Sequence, residues 1–187
     1  MSMEATMAGL PAPLQMTVSK RAPDYYAEVQ SIPGIFEASR TYAKGKATQK
    51  GPQGNGEVVG EELADLQSKA ATIFSETLYF TDGYSCVLEG VNKLDGKSVY
   101  QLAVTTPNGE ESTEYYDVNT GLKVREESSQ ETPQGPVTVA TIIKDYKAFD
   151  GVKFPSDITQ DLGPQKLELK LLDVKTNKAV SVDIFKL

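Results

Sequence analysis

Short runs in which apolar and polar residues alternate are the feature of this sequence that most constrains its fold. The runs lie at residues 14–18, 100–104, 122–125, 167–171 and 180–184. A period of two places successive side chains on opposite faces of a strand, and one apolar face with one polar face is typical of antiparallel sheets. The sequence therefore predicts a mainly β chain with a strand in each run.

Turn dipeptides punctuate the second half of the chain. They are Asp82-Gly83, Asp95-Gly96, Asn108-Gly109, Thr120-Gly121 and Asp150-Gly151. Asp-Gly and Asn-Gly favour the positive φ angles of tight hairpins. From Tyr79 to the C-terminus the sequence therefore predicts an up-and-down meander.

Two other segments precede this meander. Residues 45–56 contain four glycines and one proline, which predicts a loop. Residues 60–75 instead have a helical period, because Leu63, Leu66, Ala70, Ile73 and Phe74 fall on one helix face. We expect this amphipathic helix to pack its apolar stripe on the sheet.

The composition excludes several classes of function. The chain has no histidine, which removes Ser-His-Asp triads, Cys-His pairs and histidine-bearing zinc sites. The net charge of −7 argues against a nucleic-acid partner, and no apolar run is long enough for a membrane-spanning segment. Carboxylate-only catalysis and an all-oxygen metal site stay open.

Acidic motifs in the second half are interpreted as structural. Asp117, Asn119 and Gly121 resemble the start of a calcium loop, but the glycine comes too early, so we expect a hairpin turn. The pairs Glu110-Glu111 and Glu126-Glu127 could serve a glycosidase only if they converged across a cleft. Solvated strand ends are the preferred interpretation.

Cysteine and tyrosine have simple predicted roles. Cys86, the single cysteine, cannot form an internal disulfide and is predicted to be a small buried hydrophobe. The adjacent pairs Tyr25-Tyr26 and Tyr115-Tyr116 should place one ring on each side of a strand. Such rings pack in a core or line an apolar pocket, and the sequence leaves both roles open.

Several motifs together resemble one family. They are "GEELADLQSKAATIF" (60–74), "YYDVNTGL" (115–122) within 88–128, "DGVKFP" (150–155) within 131–160, and "VKTNKAVSVDIFKL" (174–187). In this order they resemble LolA/LolB-like lipoprotein-sorting domains. The form that they most resemble occurs in secreted proteins of Bacteroidetes and C-terminal to insulinase-type zinc peptidases.

The resemblance implies a strongly curved, incompletely closed antiparallel β-barrel whose concave face is covered by one amphipathic helix, at about residues 60–75. It also implies a periplasmic, outer-membrane or secreted setting. The family usually begins with a helix that is missing here. We therefore expect residues 1–187 to be a single domain cut from a longer protein, and the chain itself not to be an enzyme.

The hypothesis that follows is a binding module without cofactor, metal or catalytic residues, which holds a lipid, a lipoprotein acyl chain or another apolar ligand in the concave face. The alternative is an accessory or interaction domain of a larger zinc peptidase-like protein, with its interior filled. A carboxylate enzyme is the third hypothesis. The candidate cavity residues are Met16, Val18, Leu63, Leu66, Phe74, Tyr100, Leu102, Leu122, Val124, Leu167 and Leu169.

Overall fold

The computed structural model describes residues 1–52, 54–132, 135–163, 165–178 and 180–187, with backbone only at 130–132. The strands are β1 (Ser2–Met7), β2 (Leu14–Arg21), β3 (Tyr25–Ile32), β4 (Phe36–Ala43), β5 (Lys46–Lys50), β6 (Gly56–Val58), β7 (Ser85–Leu94), β8 (Lys97–Thr105), β9 (Glu111–Asp117), β10 (Lys123–Thr132), β11 (Gly135–Phe149), β12 (Val152–Asp161) and β13 (Lys166–Asp173). The helices are α1 (Glu61–Ala71) and two 3₁₀ helices, Ser75–Leu78 and Val182–Phe185.

The thirteen strands form one hydrogen-bonded order, β6-β5-β4-β3-β2-β1-β13-β12-β11-β10-β9-β8-β7. Nearly every strand pairs with its neighbour in sequence. The order is open because β6 and β7 end it, and α1 lies between these two strands in the chain. The predicted fold class, a mainly β and incompletely closed antiparallel meander with one amphipathic helix, is confirmed.

The predicted hairpins follow from local turn chemistry. Asp95 and Gly96 have φ angles of 48° and 80° between β7 and β8, and Asp150 and Gly151 have 49° and 82° between β11 and β12. Positive φ at both central residues is the two-residue turn that matches strand twist. The family-like "DGVKFP" segment is thus a hairpin corner.

The loop predicted for residues 45–56 is wrong over half its length. Residues Lys46–Lys50 form β5, which pairs with β4, and β6 begins at Gly56. The sheet overrides the local composition because Ala47 pairs with Tyr42 and packs into the core. The described part of the true connection is reduced to residues 51, 52, 54 and 55.

The strand predicted for residues 180–184 is also wrong, since Val182–Phe185 is a 3₁₀ helix. The Ser181 hydroxyl accepts a hydrogen bond from the Asp183 backbone N–H, which starts a helical turn instead of an extended one. Phe185 is then buried, with its ring centroid 5.3 Å from that of Tyr25.

The chain divides into two compact units. Unit 1 contains Met1–Ser75, Ala148–Val152 and Lys170–Leu187, and unit 2 contains Glu76–Lys147 and Lys153–Leu169. The helix α1 lies in unit 1, where it contacts β3, β4 and β5. The core cluster of unit 1 comprises Val18, Tyr26, Tyr42, Ala47, Val58, Leu66 and Ala70.

The helix ends earlier than its apolar pattern. Leu66 and Ala70 are buried as predicted, but Thr72 is extended and Ile73 is exposed. The Thr72 hydroxyl lies within hydrogen-bond distance of the Phe74 carbonyl oxygen and of the Phe74 N–H. These hydrogen bonds satisfy backbone groups that would otherwise pair within a helix, so the chain leaves the helical conformation here. The buried part of the stripe is therefore limited to the α1 residues.

Candidate functional site

Strands β7 and β8 of unit 2 place apolar side chains on a common face. Their register opposes Cys86 to Val104, Leu88 to Leu102, and Val91 to Tyr100. Directly opposed residues of an antiparallel pair lie on the same side of the sheet. We call these six residues the β7–β8 apolar face.

A bulge creates this alignment. The register moves from Leu88–Leu102 to Gly90–Gln101, so Glu89 is an extra residue in β7. In a regular strand Leu88 and Val91 would point to opposite faces, because they are three positions apart. The extra residue restores their phase and puts both on the apolar face.

Much of this face is open to solvent. Leu88 is 60% exposed, Val91 59% and Tyr100 37%, while Leu102 is half-buried and Val104 is buried. Strand β7 ends the hydrogen-bonded order. A row of large apolar side chains on a sheet face is a feature that soluble proteins usually cover or use for binding.

A polar cluster in unit 2 adjoins the apolar face on β9. Glu114 opposes Leu102 and Tyr116 opposes Tyr100. Glu114 is only 1% exposed, yet its Oε1 accepts hydrogen bonds from the Tyr79 hydroxyl at 2.5 Å and from Lys123 Nζ at 2.6 Å. Its Oε2 accepts one from the Tyr116 hydroxyl at 2.5 Å.

Lys123 holds the cluster together. Its Nζ lies 3.0 Å from carboxylate oxygens of both Glu76 and Glu126, besides the contact with Glu114. Tyr146 donates a hydrogen bond to the Lys123 carbonyl oxygen at 2.7 Å. We call Glu76, Tyr79, Glu114, Tyr116, Lys123, Glu126 and Tyr146 the Glu114 cluster.

Burial and charge shift the ionisation of this cluster in consistent directions. Burial alone would lower the pKa of the Lys123 ammonium, but the carboxylates of Glu126 and Glu114 outweigh it and raise that pKa. Burial and the hydrogen bond to Glu114 raise the pKa of Tyr116. Burial, with the nearby Glu76 charge, raises the pKa of Tyr146 to about 12.

The contacts of the Glu114 cluster fix the positions of its side chains. Both oxygens of Glu114 are occupied by strong donors, so this carboxylate is fixed in place and poorly suited to take a proton from a substrate. Three carboxylates surround one ammonium. The contacts with Glu114 and Glu76 join Lys123 on β10 to β9 and to the 3₁₀ helix Ser75–Leu78, and the contact with Glu126 lies within β10. The result is a rigid border beside the exposed apolar face.

The eleven predicted cavity residues fall in both units. Met16, Val18, Leu63, Leu66 and Phe74 belong to unit 1, and Tyr100, Leu102, Leu122, Val124, Leu167 and Leu169 to unit 2. Val18 and Leu66 are members of the unit 1 core cluster, and Leu63 packs against it. Tyr100 and Leu102 are brought together on the apolar face.

The other predicted residues occupy different surroundings. Met16 lies in β2, half-buried, and Phe74 is half-buried after α1. Leu122 precedes β10, and Val124 lies where the β9–β10 register shifts between Lys123 and Arg125. Leu167 and Leu169 lie in β13, with Leu169 buried.

Sequence reasoning missed four members of the apolar face: Cys86, Leu88, Val91 and Val104. Cys86 is exposed, so its predicted burial is wrong; β7 is an end strand that leaves it uncovered. The signal that was available is the apolar "CVL" run, which precedes a Glu-Gly pair typical of a bulge. The Glu114 cluster had no local signal.

Two interpretations of the acidic and aromatic motifs are confirmed. Asp117 Oδ1 accepts hydrogen bonds from the backbone N–H groups of Asn119 and Thr120, which makes the calcium-like motif a hairpin turn. Tyr116 joins the Glu114 cluster, whereas the Tyr115 hydroxyl donates to Glu127. Their different partners agree with one ring on each side of β9.

The strand-end position predicted for Glu126-Glu127 is wrong, although both side chains are partly exposed, whereas Glu110 and Glu111 are exposed as expected. Glu126 pairs with Lys123, and Glu127 pairs with Arg125 at 2.6 Å. Both glutamates lie within β10, between β9 and β11, and not at its end. Their charges are therefore neutralised by lysine and arginine on the same strand.

Metal-ligating groups and membrane-spanning helices are absent from the described ranges. No group of three or more Asp, Glu or Cys side chains with metal-binding geometry occurs among the residues that the structure describes. Within those same ranges, no helix has both the length and the apolar character needed to cross a bilayer.

Comparisons with known proteins come from structure. No known family model and no curated protein matches the sequence. A LolA superfamily protein of Nitrosomonas europaea superimposes with a TM-score of 0.67 at 11% identity, over 99% of this chain and 87% of the other. The chain has the LolA-like fold.

Two further solved structures agree with this LolA-like fold. A DUF1329 family protein of Desulfovibrio piger has a TM-score of 0.67 at 14% identity, over 99% of this chain and 87% of the other. A putative outer membrane lipoprotein-sorting protein domain of Vibrio parahaemolyticus has a TM-score of 0.64 at 11% identity, over 98% and 87%. At such identities the likeness is one of fold.

Proposed function

We propose that this LolA-like chain is a non-catalytic binding module that holds a lipid, a lipoprotein acyl chain or another apolar ligand. The observation that carries the proposal is the β7–β8 apolar face, where Leu88, Val91 and Tyr100 are left exposed side by side on paired strands. The likeness to a putative lipoprotein-sorting domain supports the same chemistry.

The energetics of this face suit an extended hydrocarbon. Each methylene that leaves water contributes about 0.8 kcal/mol of binding free energy. A hydrocarbon chain of several methylenes laid along Leu88, Val91 and Tyr100 would therefore bind through burial of its apolar surface. No strong hydrogen bond is needed for such a ligand. The fixed Glu114 cluster limits how far the ligand extends over β9, because displacing it would expose buried charges.

Of the eleven cavity residues proposed from sequence, Tyr100 and Leu102 are retained as ligand contacts. Val18 and Leu66 fit better as core residues, because they are 6% and 1% exposed within a packed cluster. A binding module of this kind also suits a periplasmic or outer-membrane setting, which we propose for this chain.

The test is a titration of delipidated protein with the fluorescent fatty acid 11-(dansylamino)undecanoic acid. We expect saturable binding, and at least a tenfold loss of affinity in Leu88→Asp and in Val91→Asp. Val87→Asp is the matched control, because Val87 is 55% exposed on the same strand but opposes Ala103 on the other face. Equal binding by all three variants and the wild type would exclude this face as the site.

A second candidate function is an accessory domain of a larger zinc peptidase-like protein. The observation that favours it is the exposed end strand β7, since such an edge can add a strand from another protein segment. Fatty-acid binding separates the two functions. Absent binding, together with slow amide exchange along β7 only in the parent protein, would support the accessory role.

A further inference from the structure

A pocket of about 310 Å³ lies in unit 1, and none of its lining residues belongs to the β7–β8 apolar face. It is lined by β4, β5 and the turn that follows β5. The lining residues are Phe36, Ala38, Ser39, Arg40, Gln49, Lys50, Gly51, Pro52 and Gly54. This volume is within the range of small-molecule sites.

The strand register places the pocket on the face that α1 covers. Tyr26 of the core cluster opposes Tyr42, and two residues further along these strands Glu28 opposes Arg40. Arg40 in turn opposes Gln49 on β5. The pocket therefore continues the packed face beyond the core cluster, where side chains change from apolar to polar.

Gly51 shapes one wall of the pocket. A Cβ atom at Gly51 would lie 3.2 Å from the Cβ atom of Ala38, so a side chain here would require the turn or β4 to shift by a few tenths of an ångström. Within the turn, the Gly54 N–H donates to the Gly51 carbonyl oxygen at 3.0 Å. Asn55 Oδ1 accepts a hydrogen bond from the Gly51 N–H at 3.3 Å.

The charged residues that line the pocket are cationic. Arg40 and Lys50 line it, and no Asp or Glu does among the described residues. Glu28, which opposes Arg40, has one oxygen bonded to the Tyr26 hydroxyl and the other to Gln30 Nε2. Over the described ranges, no carboxylate forms an ion pair with Arg40, so its guanidinium is available to a ligand.

We propose that this pocket binds a small organic acid with an apolar body. The Arg40 guanidinium would take the carboxylate, since arginine holds carboxylates through two parallel hydrogen bonds. Phe36, Ala38 and Pro52 would contact the apolar body.

The test uses ¹⁵N-labelled full chain titrated with naphthalene-2-carboxylate and followed at the Gly51 and Gly54 amide signals. We expect saturable shifts at both glycines, and at least a tenfold weaker affinity in Arg40→Gln. The neutral naphthalene-2-methanol should bind at least tenfold more weakly to the wild type. Lys46→Gln is the matched control, because Lys46 is an exposed cation of β5 outside the pocket lining.

Arg40 is exposed, so its replacement should leave the fold intact, and the remaining amide signals report whether it does. The proposal is overturned by the absence of saturable shifts at the two glycines, or by equal affinity of Arg40→Gln and wild type. Shifts confined to the β7–β8 apolar face would also overturn it, while supporting the function proposed for that face.

Discussion

Glu114 and Lys123 form an ion pair of 2.6 Å that is almost completely withdrawn from solvent, with side chains 2% and 8% exposed. Such a pair contributes little net stability compared with an apolar pair, yet losing one partner is costly because the other charge stays buried. The Glu114 cluster therefore makes unit 2 sensitive to single substitutions and tolerant of a paired one.

We predict that Lys123→Met destabilises the fold by about 3 kcal/mol, because three carboxylates then lose their common ammonium. The double variant Lys123→Met/Glu114→Leu should recover part of this loss. Urea unfolding followed by circular dichroism measures both. Glu111→Gln is the control and should change stability little, because Glu111 is an exposed acid on β9, the strand that carries Glu114. Independent, additive losses in the double variant would contradict the coupling.

Stability should fall at alkaline pH. The folded pKa of Tyr146 is raised from the ordinary 10.0 to about 12, and the pKa of Tyr116 is raised too. The folded chain thus keeps these phenol protons to higher pH than the unfolded chain does. The stability that the shifted Tyr146 phenol contributes is fully present below about pH 10 and is lost as the pH rises towards 12.

Thermal unfolding between pH 8 and pH 12 checks this prediction. Tyr146→Phe removes one of the shifted phenols, and its unfolding temperature should depend less steeply on pH than that of the wild type. Unchanged pH dependence in this variant would show that Tyr146 does not contribute. Its stability at pH 8 is compared separately, since the hydrogen bond to the Lys123 carbonyl is also lost.

The helix α1 should contribute through Leu66 more than through Leu63. Leu66 is 1% exposed within the core cluster, whereas Leu63 is half-buried at its margin. Leu66→Ala should cost about 3 kcal/mol because it leaves a cavity, and Leu63→Ala about 1 kcal/mol. Both replacements affect helix propensity equally, so chemical denaturation isolates the packing difference. Similar losses of unfolding free energy in the two variants would contradict the greater burial of Leu66.

Cys86 should react in the native state, because it is exposed on β7. Burial of part of the thiol and the Glu114 charge raise the pKa of Cys86, so the reaction should be slower than that of an unfolded chain. The rate of reaction with Ellman's reagent measures this. Saturating fatty acid should slow it further, since Cys86 belongs to the apolar face; a rate limited by global unfolding would contradict its exposure.

The parts of the fold that local chemistry determines were predictable from sequence. Asp95-Gly96 and Asp150-Gly151 form hairpin turns because these dipeptides accept positive φ, and α1 follows its apolar period. The failures occurred where tertiary pairing or a cap outweighed local pattern. Strand β5 forms in a glycine-rich stretch through its pairing with β4, and residues 182–185 form a helix despite alternating side chains.

The candidate site was predictable only in part. Tyr100 and Leu102 stand out by simple alternation, but their partners on β7 depend on the register between two strands. Glu114 lies in an ordinary polar strand sequence, and nothing local indicates that Lys123 and Tyr79 meet it. Clusters assembled from distant segments leave no period or spacing in a single chain.

The bulge at Glu89 makes the apolar face dependent on strand pairing as well as on residue type. Regular pairing of Glu89 with Gln101 would shift the second half of β7 by a single position relative to β8. Val91 would then pass to the side of Val87, and the row of β7 side chains on the apolar face would end at Leu88. Sequences that keep every apolar residue of β7 but pair it without this bulge would share the fold while presenting a different surface.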